Sequence, residues 1–336
     1  MSSLAKVSEK TDAANDDAGE PEALAESRTR RVTVAAMEKI LGQRFDILDK
    51  GFVRVVDYMG DDGAIVQAAR VSYGRGTKKV HQDRGLIRYL LRHRHTTPFE
   101  MCEIKFHLKM PIFVARQWVR HRTANINEYS ARYSVVRDEF FFPKVADLTP
   151  QSAGNSQGRK ETKVSNAALL LQAEIQASAE RDYDLYDRLL KEDFLGSSKS
   201  KKNLKKGAGL EQGVARELAR MVLPLSTYTE FYWKCDLHNL MHFLTLRADS
   251  HAQREIRVYA ERMVKILEDW VPLTAEAWRD YIRDSMTFSA QEGEIVRRLL
   301  RGESVERKDA VALSDREWRE LGEKLALNPG DTYGQR

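Results

Sequence analysis

Three stretches of the chain have patterns of apolar and polar side chains that predict β-strands. Residues 52–58 are rich in β-branched and aromatic side chains, which favour a pleated strand. Residues 103–110 alternate polar and apolar side chains with a period of two, the pattern of a strand with one buried face. Residues 133–142 end in three consecutive phenylalanines and are predicted as a further strand.

Helical spacing of apolar residues dominates the rest of the chain. Asp61 and Asp62 stand where they can cap a helix, and Pro111 stands at the first position of another helix. On that second helix Gln117, Arg120 and His121 are spaced so that they share one face at its C-terminal end. Helices are predicted over residues 32–41, 64–71, 84–92, 112–120, 167–190, 212–222, 236–267 and 292–300.

The composition changes at both ends of the chain. Residues 1–31 are polar and acidic with almost no large apolar side chain, so residues 1–43 are predicted to form a disordered N-terminal extension. Residues 44–284 are predicted to form the globular domain, with a lysine-rich surface loop at residues 196–209. The charged residues 285–336 are predicted to form a C-terminal extension.

Composition narrows the class of protein. The 336-residue chain has a net charge of only +5, from 55 basic and 50 acidic residues, so the placement of the arginines matters more than their total. Cys102 and Cys235 are too few for a disulfide framework, which favours a reducing cytoplasm over secretion. No apolar run approaches ~18 residues, and the first residues lack the apolar core of a signal peptide, so we expect no membrane partner.

Chemically active side chains are most concentrated in residues 120–134. This segment contains three arginines, a histidine, a glutamate and two serines. Guanidinium groups bind phosphate or carboxylate through paired hydrogen bonds, and they repel one another unless an anion lies between them. The apolar runs at residues 111–115 and 140–142 flank the segment and attach it to the core. The segment is therefore predicted to be a binding loop for an anionic ligand rather than a solvated basic loop.

The predicted helix at residues 236–267 carries a second polar cluster, with more than one interpretation. Arg247, His251 and Glu255 are spaced at i, i+4 and i+8, which predicts either a ligand-binding face or a salt-bridged solvent face. His238 and His242 have the spacing of zinc ligands on a helix, but the glutamate of an HExxH pattern is absent. Together with the arginine-rich loop, this face suggests a ligand with phosphates and a polar ring.

Two further pairs are weaker signals. His93 and His95 have the chemistry of metal ligands, but no cysteine or aspartate stands at a supporting spacing, so no metal site is predicted. Arg216 and Arg220 stand one helical turn apart, a spacing that is more typical of a solvated pair than of a site.

Six blocks of residues resemble the flavin-dependent thymidylate synthases, and they occur in the order found in that family. Arg-His-Arg at residues 120–122, followed after seven residues by Ser130, is similar to the family signature. The other blocks are residues 69–73, 95–100, 111–118, 220–224 and 246–253. The resemblance covers roughly residues 45–280.

The resemblance implies a reaction in which dUMP is methylated to dTMP. In that family 5,10-methylenetetrahydrofolate is the carbon donor, FAD carries the hydride, NADPH is the reductant, and no cysteine acts as nucleophile. Neither Cys102 nor Cys235 has an activating neighbourhood in the sequence, which agrees with this mechanism. The resemblance also implies an α+β fold of mixed helices and antiparallel sheet, the thymidylate synthase-complementing protein fold, in a homotetramer whose active sites are shared between subunits.

Roles for individual residues follow from the resemblance as well. Arg247 matches the catalytic arginine beside the uracil ring, where a preorganised cation stabilises negative charge. The residues that match FAD-binding positions are Ser72, Thr97, Glu100, Arg120, His121, Arg122, Glu128, Asp236, His238, His242 and His251. The residues that match dUMP-binding positions are Gln117, Arg120, Glu128, Tyr129, Ser130, Ala131, Arg132, Arg220 and Arg247. Many family members have asparagine and arginine where this chain has Asp236 and His238.

Two other classes of protein remain as alternatives. The arginine motif and the lysines of residues 196–209 could follow a phosphate backbone, as in a basic nucleic-acid-binding protein. No signature of a nucleic-acid-binding fold is present, so we expect no nucleic-acid partner. The other alternative is a different nucleotide-acting enzyme, either a flavoenzyme or a metal-dependent hydrolase that uses His93 and His95.

Overall fold

The computed structural model describes residues 29–71, 80–151, 159, 165–191 and 213–326. Contacts divide the chain into one unit at Met1–Glu276 and another at Ala277–Arg336. The lysine-rich segment 196–209 lies outside the described residues, as do residues 1–28 of the predicted N-terminal extension.

An antiparallel five-stranded sheet forms the centre of the first unit, in the order β1-β2-β3-β5-β4. Its inner strands place apolar residues opposite one another: Trp233 of β5 faces Phe106 of β3 on one side and Ile126 of β4 on the other. The strands are β1 Arg44–Ile47, β2 Gly51–Met59, β3 Glu103–Pro111, β4 Asn125–Glu128 and β5 Tyr228–Asp236.

The strands predicted at residues 52–58 and 103–110 are confirmed as β2 and β3. The strand predicted at residues 133–142 is wrong. Among the described residues, the only β-pairing in that stretch is an isolated bridge from Phe140 to Thr227, which lies outside the strands. The chain turns at the start of this stretch, where the backbone N–H groups of Tyr133 and Ser134 both donate to the carbonyl of Ser130.

The helices of the first unit match most of the predictions. Those at residues 32–41, 64–71, 84–92, 112–120 and 167–190 are confirmed as α1 to α5. The helix predicted at residues 212–222 is a single turn, α6, followed by a 3-10 turn at Arg220–Val222. The helices are α1 Ala35–Ile40, α2 Asp62–Val71, α3 Val80–Arg92, α4 Ile112–Trp118, α5 Asn166–Leu190, α6 Arg216–Ala219, α7 Leu237–Arg247, α8 Arg254–Trp270 and α9 Pro272–Trp278.

The single helix predicted at residues 236–267 is wrong, because α7 and α8 are separated by residues 248–253. Asp249 stabilises this turn by accepting a hydrogen bond from the backbone N–H of His251 at 2.7 Å, a local bond that competes with helix. Arg247, His251 and Glu255 therefore do not share a helix face. His251 is exposed, whereas Glu255 is fully buried at the start of α8.

Aromatic side chains join the sheet to three helices in the core of the first unit. Trp118 of α4 is fully buried and has its ring centroid 5.5 Å from that of Trp233, on β5. Phe243 of α7 lies 4.4 Å from Trp118, and Tyr259 of α8 lies 6.2 Å from it. This cluster fixes the end of α4, and with it the position of the arginine-rich segment that follows.

Part of the predicted N-terminal extension is folded. Met37 of α1 is fully buried, and Leu41 forms a bridge with Val55 of β2. The hydroxyl of Tyr58 accepts a hydrogen bond from the backbone N–H of Val34 at 2.7 Å. Within the described residues, the folded structure therefore includes positions before residue 44.

The second unit has a small hydrophobic core of its own, which was not predicted from the charged residues 285–336. Helix α10 Ala290–Leu300 confirms the prediction at residues 292–300, whereas α11 Asp315–Lys324 was not predicted. Ser289 and Ser314 each begin a helix with a capping box. The buried residues of the core are Ile295, Val305, Ala310, Leu313, Trp318 and Leu321.

No helix in the described part of the chain combines the length and the apolar character needed to cross a lipid bilayer.

Candidate active site

The arginine-rich segment begins where α4 ends. Trp118 anchors that end of the helix in the core. The backbone N–H of Arg120 donates to the carbonyl of Gln117 at 3.3 Å, and that of His121 donates to Trp118 at 3.0 Å. These bonds turn the chain out of the helix, so that Arg120 and Arg122 are exposed while His121 is buried.

A cavity of about 420 Å³ lies between this turn and α7. Helix α7 contributes residues at i, i+3, i+4 and i+7 from Asn239, which is the spacing of one helix face. The lining residues are Arg120, His121, Arg122, Thr123, His238, Asn239, His242, Phe243, Leu246 and Arg247. The cavity thus brings together the arginine motif and most of the predicted polar residues of α7.

The charge of the lining is positive. Arg120, Arg122 and Arg247 line the cavity, and no aspartate or glutamate does. Within the described part of the chain, neither Arg120 nor Arg122 forms an ion pair with an acidic side chain. Uncompensated guanidinium groups in a concave site attract anions and bind phosphate or carboxylate through paired hydrogen bonds.

Arg247 is held at the end of α7 with unused hydrogen-bonding capacity. Its Nη2 donates to the backbone carbonyl of Gln117 at 3.3 Å. Its Nε is buried and has no hydrogen-bond partner among the described residues. Burial also lowers the pKa of the guanidinium from its usual value. A buried, unsatisfied donor is costly in a native protein, so this geometry fits a ligand that supplies the missing acceptor.

His121 is the buried member of the arginine motif, with 8% of its surface exposed. Its Nε2 lies 3.1 Å from the Oγ1 of Thr123, and its ring centroid lies 5.6 Å from that of His242. Burial lowers the pKa of His121, and the neighbouring His242 and Arg247 lower it further. His121 is therefore a neutral imidazole at neutral pH in the ligand-free protein.

We expect His121 to make the stability of the flavin-free protein depend on pH. Because its pKa in the folded chain lies below the ordinary 6.5, the unfolded chain takes up this proton first as the pH falls. The contribution of neutral His121 to the free energy of unfolding is complete above pH 6.5, and it is lost as the pH falls through the lowered pKa of His121 in the folded chain. Urea unfolding at several pH values should show a steeper loss in wild type than in His121→Gln. Identical pH dependence in the two proteins would contradict this assignment.

Several other residues that match FAD-binding positions lie at or near α7. Asp236 caps the helix, accepting from the backbone N–H of Asn239 at 2.9 Å and from its side-chain amide at 2.7 Å. Asp236 does not line the cavity, because its carboxylate is used in this cap. Thr97 and Glu100 lie at a 3-10 turn that contacts α7. His251 lies in the turn after α7, bonded to Asp249, and Ser72 lies outside the described residues.

Most of the residues that match dUMP-binding positions form a second group, which does not line the cavity. Glu128 of β4 accepts from the hydroxyl of Thr229 at 2.7 Å. Arg132 lies 3.5 Å from Glu217 of α6, and the Nε of Arg220 donates to the carbonyl of the same Glu217 at 3.3 Å. Between Glu128 and Arg132 lie Tyr129, Ser130 and Ala131. In one chain the structure therefore joins this loop to α6 and Arg220, and it joins Gln117 to Arg247.

Several residues that line the cavity were not predicted from the sequence. Asn239, Phe243 and Leu246 follow the helical period of His242, which was the available signal. Thr123 had no signal beyond its place inside the arginine motif. No sequence signal indicated the hydrogen bonds of Gln253 to Gln117 and Glu255 either, because these side chains are brought together by the fold.

The His93 and His95 pair takes part in an aromatic cluster. The ring centroids of Tyr89 and His93 are 4.4 Å apart, and those of His93 and His95 are 6.5 Å apart. No group of three or more histidine, cysteine, aspartate or glutamate side chains among the described residues is arranged to hold a metal ion.

Comparison with known proteins gives a consistent result. A family model described as thymidylate synthase complementing protein matches residues 54–273. A flavin-dependent thymidylate synthase of Gluconobacter oxydans is 54% identical over 297 residues, 88% of this chain and 92% of that protein. One of Rickettsia bellii is 51% identical over 294 residues, 87% of this chain and 97% of that protein.

A solved structure is also similar. It is the crystal structure of a UMP/dUMP methylase, PolB from Streptomyces cacaoi, bound with 5-Br dUMP. The two chains are 34% identical with a TM-score of 0.59, and the match covers 71% of this chain and 99% of that one. The chain belongs to the thymidylate synthase complementing protein family.

Proposed function

We propose that the protein is a flavin-dependent thymidylate synthase, which methylates dUMP to dTMP. The carbon donor is 5,10-methylenetetrahydrofolate, and NADPH is the reductant. The observation that carries this proposal is the buried Nε of Arg247, which has no partner among the described residues in a cavity lined by arginine and histidine. The relatives are named as flavin-dependent thymidylate synthases and the structural neighbour as a UMP/dUMP methylase, which supports the same activity.

The cavity between α4 and α7 has the chemistry to hold FAD. Its unpaired Arg120 and Arg122 fit the two phosphates of the cofactor, and the aromatic and imidazole side chains fit a planar ring. The residues that would hold it are Arg120, His121, Arg122, His238 and His242. FAD, when bound, supplies hydride transfer that no protein side chain can perform.

We propose that Arg247 is the group that stabilises negative charge on the uracil ring. Carbon C5 of uracil is a weak nucleophile, and it becomes a better one when the ring carries negative charge. A fixed, partly desolvated cation stabilises such charge without reorganising when the reaction occurs. The hydrogen bond to the Gln117 carbonyl holds the guanidinium in place, so the protein contributes orientation and electrostatics.

We also propose that the protein is a homotetramer with active sites shared between subunits. Ser130, Arg132 and Arg220 would bind the phosphate of dUMP, while Gln117 and Arg247 would contact the nucleoside. In one chain the phosphate-binding residues do not line the cavity that contains Arg247. A site that uses both groups fits an arrangement in which neighbouring chains complete each other.

The mechanism needs no thiol nucleophile. Burial, with smaller contributions from Asp61 and Asp62, raises the pKa of Cys102 to about 12, and burial raises that of Cys235 well above its usual value. Both are therefore protonated thiols at neutral pH, and a thiol is a far weaker nucleophile than a thiolate. Both cysteines are also free, which fits the reducing cytoplasm that we propose as the location.

We expect the double variant Cys102→Ala/Cys235→Ala to retain most of its rate of dTMP formation. The result would be measured as kcat under saturating substrates, with FAD content as the check on folding. Loss of activity in a flavin-loaded double variant would contradict the thiol-free mechanism.

Genetic complementation tests the proposed activity in a cell. A bacterium that lacks thymidylate synthase requires thymidine, and expression of this chain should remove that requirement. The matched control is the same chain carrying Arg247→Ala, which should not support growth. Failure of the wild-type chain, expressed as a folded, flavin-containing protein, would exclude thymidylate synthesis as its function.

A further inference from the structure

Glu255 is a fully buried carboxylate outside the cavity. Both of its oxygens lie 2.6 Å from Nη2 of Arg159, and its Oε2 accepts from Nε2 of Gln253 at 2.8 Å. Burial alone raises the pKa of Glu255, but the hydrogen bonds from Arg159 and Gln253 outweigh it and the pKa is lowered. Glu255 is therefore ionised at neutral pH, and an ionised carboxylate can only accept hydrogen bonds.

This acceptor determines which way the next amide faces. Gln253 must direct its Nε2 toward Glu255, so its Oε1 faces the other way, where it accepts from Nε2 of Gln117. An amide has two possible orientations of nearly equal shape, and its hydrogen-bond network decides between them. The charge on Glu255 thus selects the orientation of Gln253, and Gln253 selects that of Gln117.

Gln117 is held from both ends of the turn between α7 and α8. Arg247, the last residue of α7, donates to its backbone carbonyl. Gln253, the residue before α8, accepts from its side-chain Nε2. The Oε1 of Gln117 accepts no hydrogen bond from any described residue, so it remains available to a ligand as an acceptor of fixed direction.

We propose that Glu255 and Gln253 are positioning residues, which hold the Gln117 amide so that its Oε1 accepts a hydrogen bond from the bound nucleotide. This inference rests on the proposed function, in which Gln117 contacts dUMP. The matching donor is a hydrogen-bond donor of the nucleoside, either the 3′-hydroxyl or the ring N3–H. Two residues, Gln253 and Gln117, separate Glu255 from the proposed ligand, so Glu255 acts on the ligand only through them.

The variant Glu255→Gln keeps the size of the side chain but removes the charge that selects the orientation of the Gln253 amide. A glutamine can donate as well as accept, so both orientations of Gln253, and hence of Gln117, become accessible. Loss of one oriented hydrogen bond predicts a dUMP dissociation constant about tenfold higher. The value of kcat at saturating dUMP should change much less, because Arg247 and the FAD-binding residues are unaltered.

The test measures dUMP binding to the FAD-loaded protein by calorimetry. The variants are Glu255→Gln, Gln117→Met and the double variant, with Glu261→Gln on the same helix as the control. If Glu255 acts through Gln117, the double variant binds dUMP as Gln117→Met does, because no relay remains to be lost. A general effect on structure would instead make the two single effects add. Glu261 pairs with Arg257 near the surface, so its variant should bind as wild type does.

The remaining outcomes are equally informative. Additive single effects, or unchanged affinity in Glu255→Gln, would overturn the positioning role while leaving the proposed function intact. A wild-type protein that binds FAD but not dUMP would overturn the proposed function and this inference with it. Gln253→Met leaves the Glu255–Arg159 pair in place and should show the same weakening, so it replaces Glu255→Gln if that variant does not fold.

A nucleotide without the 3′-hydroxyl identifies the donor. With 2′,3′-dideoxy-UMP, the loss of affinity caused by Glu255→Gln should disappear if the hydroxyl is the group that Gln117 accepts from. It should persist if the donor is the ring N3–H. With either nucleotide, a double variant whose loss of affinity equals the sum of the losses in Glu255→Gln and Gln117→Met would contradict the relay, whichever group is the donor.

Discussion

Replacing Arg247 with alanine is expected to lower kcat for dTMP formation by roughly 10²–10³-fold, the usual effect of removing one preorganised group that stabilises transition-state charge. Arg247 is the cavity residue whose Nε is buried without a partner among the described residues. Its guanidinium is held by the Gln117 carbonyl at 3.3 Å, so in the proposed mechanism it needs no reorganisation to stabilise charge on the uracil ring. FAD should remain bound, because Arg120, His121 and Arg122 are untouched.

Steady-state kinetics with measured flavin content distinguish loss of chemistry from loss of cofactor. Arg262→Ala is the control, because Arg262 lies on α8 with its guanidinium 4.7 Å from the ring of Phe45, outside the cavity. Arg247→Lys should restore little activity, since an ammonium group lacks the planar fork of guanidinium. A flavin-loaded Arg247→Ala protein with near wild-type kcat would remove Arg247 from the mechanism.

Replacing Trp118 with alanine is expected to lower the free energy of unfolding by about 3–5 kcal/mol, the range for large aromatic residues in a core. Trp118 is fully buried, and its ring lies against rings of β5, α7 and α8. The space left by an indole in the middle of three elements cannot be filled without moving one of them. Because Arg120 and His121 lie two and three residues after Trp118, and the backbone N–H of His121 donates to its carbonyl, flavin affinity should fall as well.

Urea unfolding followed by circular dichroism measures this loss. Trp118→Phe is the conservative comparison and should cost clearly less than alanine, because it keeps a ring in contact with Phe243. Leu300→Ala is the surface control, at a side chain that is 83% exposed. A loss for Trp118→Ala within the ~0.5 kcal/mol typical of surface positions would show that the aromatic cluster does not anchor α4.

The sequence was sufficient for elements whose signal is local. Strand β3 has a regular period of two, and α4 begins directly after Pro111, its N-cap, so both could be predicted with the arginine motif that follows them. Periodicity was also sufficient for α5 and α10. The chemistry of residues 120–122 was equally visible, because three consecutive charged or basic side chains between apolar runs need no tertiary information.

Other features depend on interactions that a local pattern does not contain. The break between α7 and α8 comes from the hydrogen bonds of Asp249 and from contacts of Arg247 and Gln253 with Gln117, which is distant in sequence. Strand β5 was not predicted, because its aromatic residues are paired with residues of β3 and β4 that are distant in sequence. The small core of the second unit was obscured by the high charge of its exposed faces.

The sequence identified residues that line the candidate site, but it did not show which of the predicted residues lie together in one chain. Arg120, His121, Arg122, His238, His242 and Arg247 line one cavity. Glu128, Arg132 and Arg220 were expected at the same ligand, but they lie together elsewhere on the chain. We propose that these two groups of residues meet through a second subunit. The pattern of a single sequence does not show which residues meet in that way.

The most direct measurement is dTMP formation by the purified wild-type protein with dUMP, 5,10-methylenetetrahydrofolate, NADPH and FAD, compared with reactions that omit one component at a time. We expect dTMP only in the complete mixture, apart from activity that persists without added FAD when the protein retains its own. A folded, FAD-containing protein that forms no dTMP from the complete mixture would contradict the central claim.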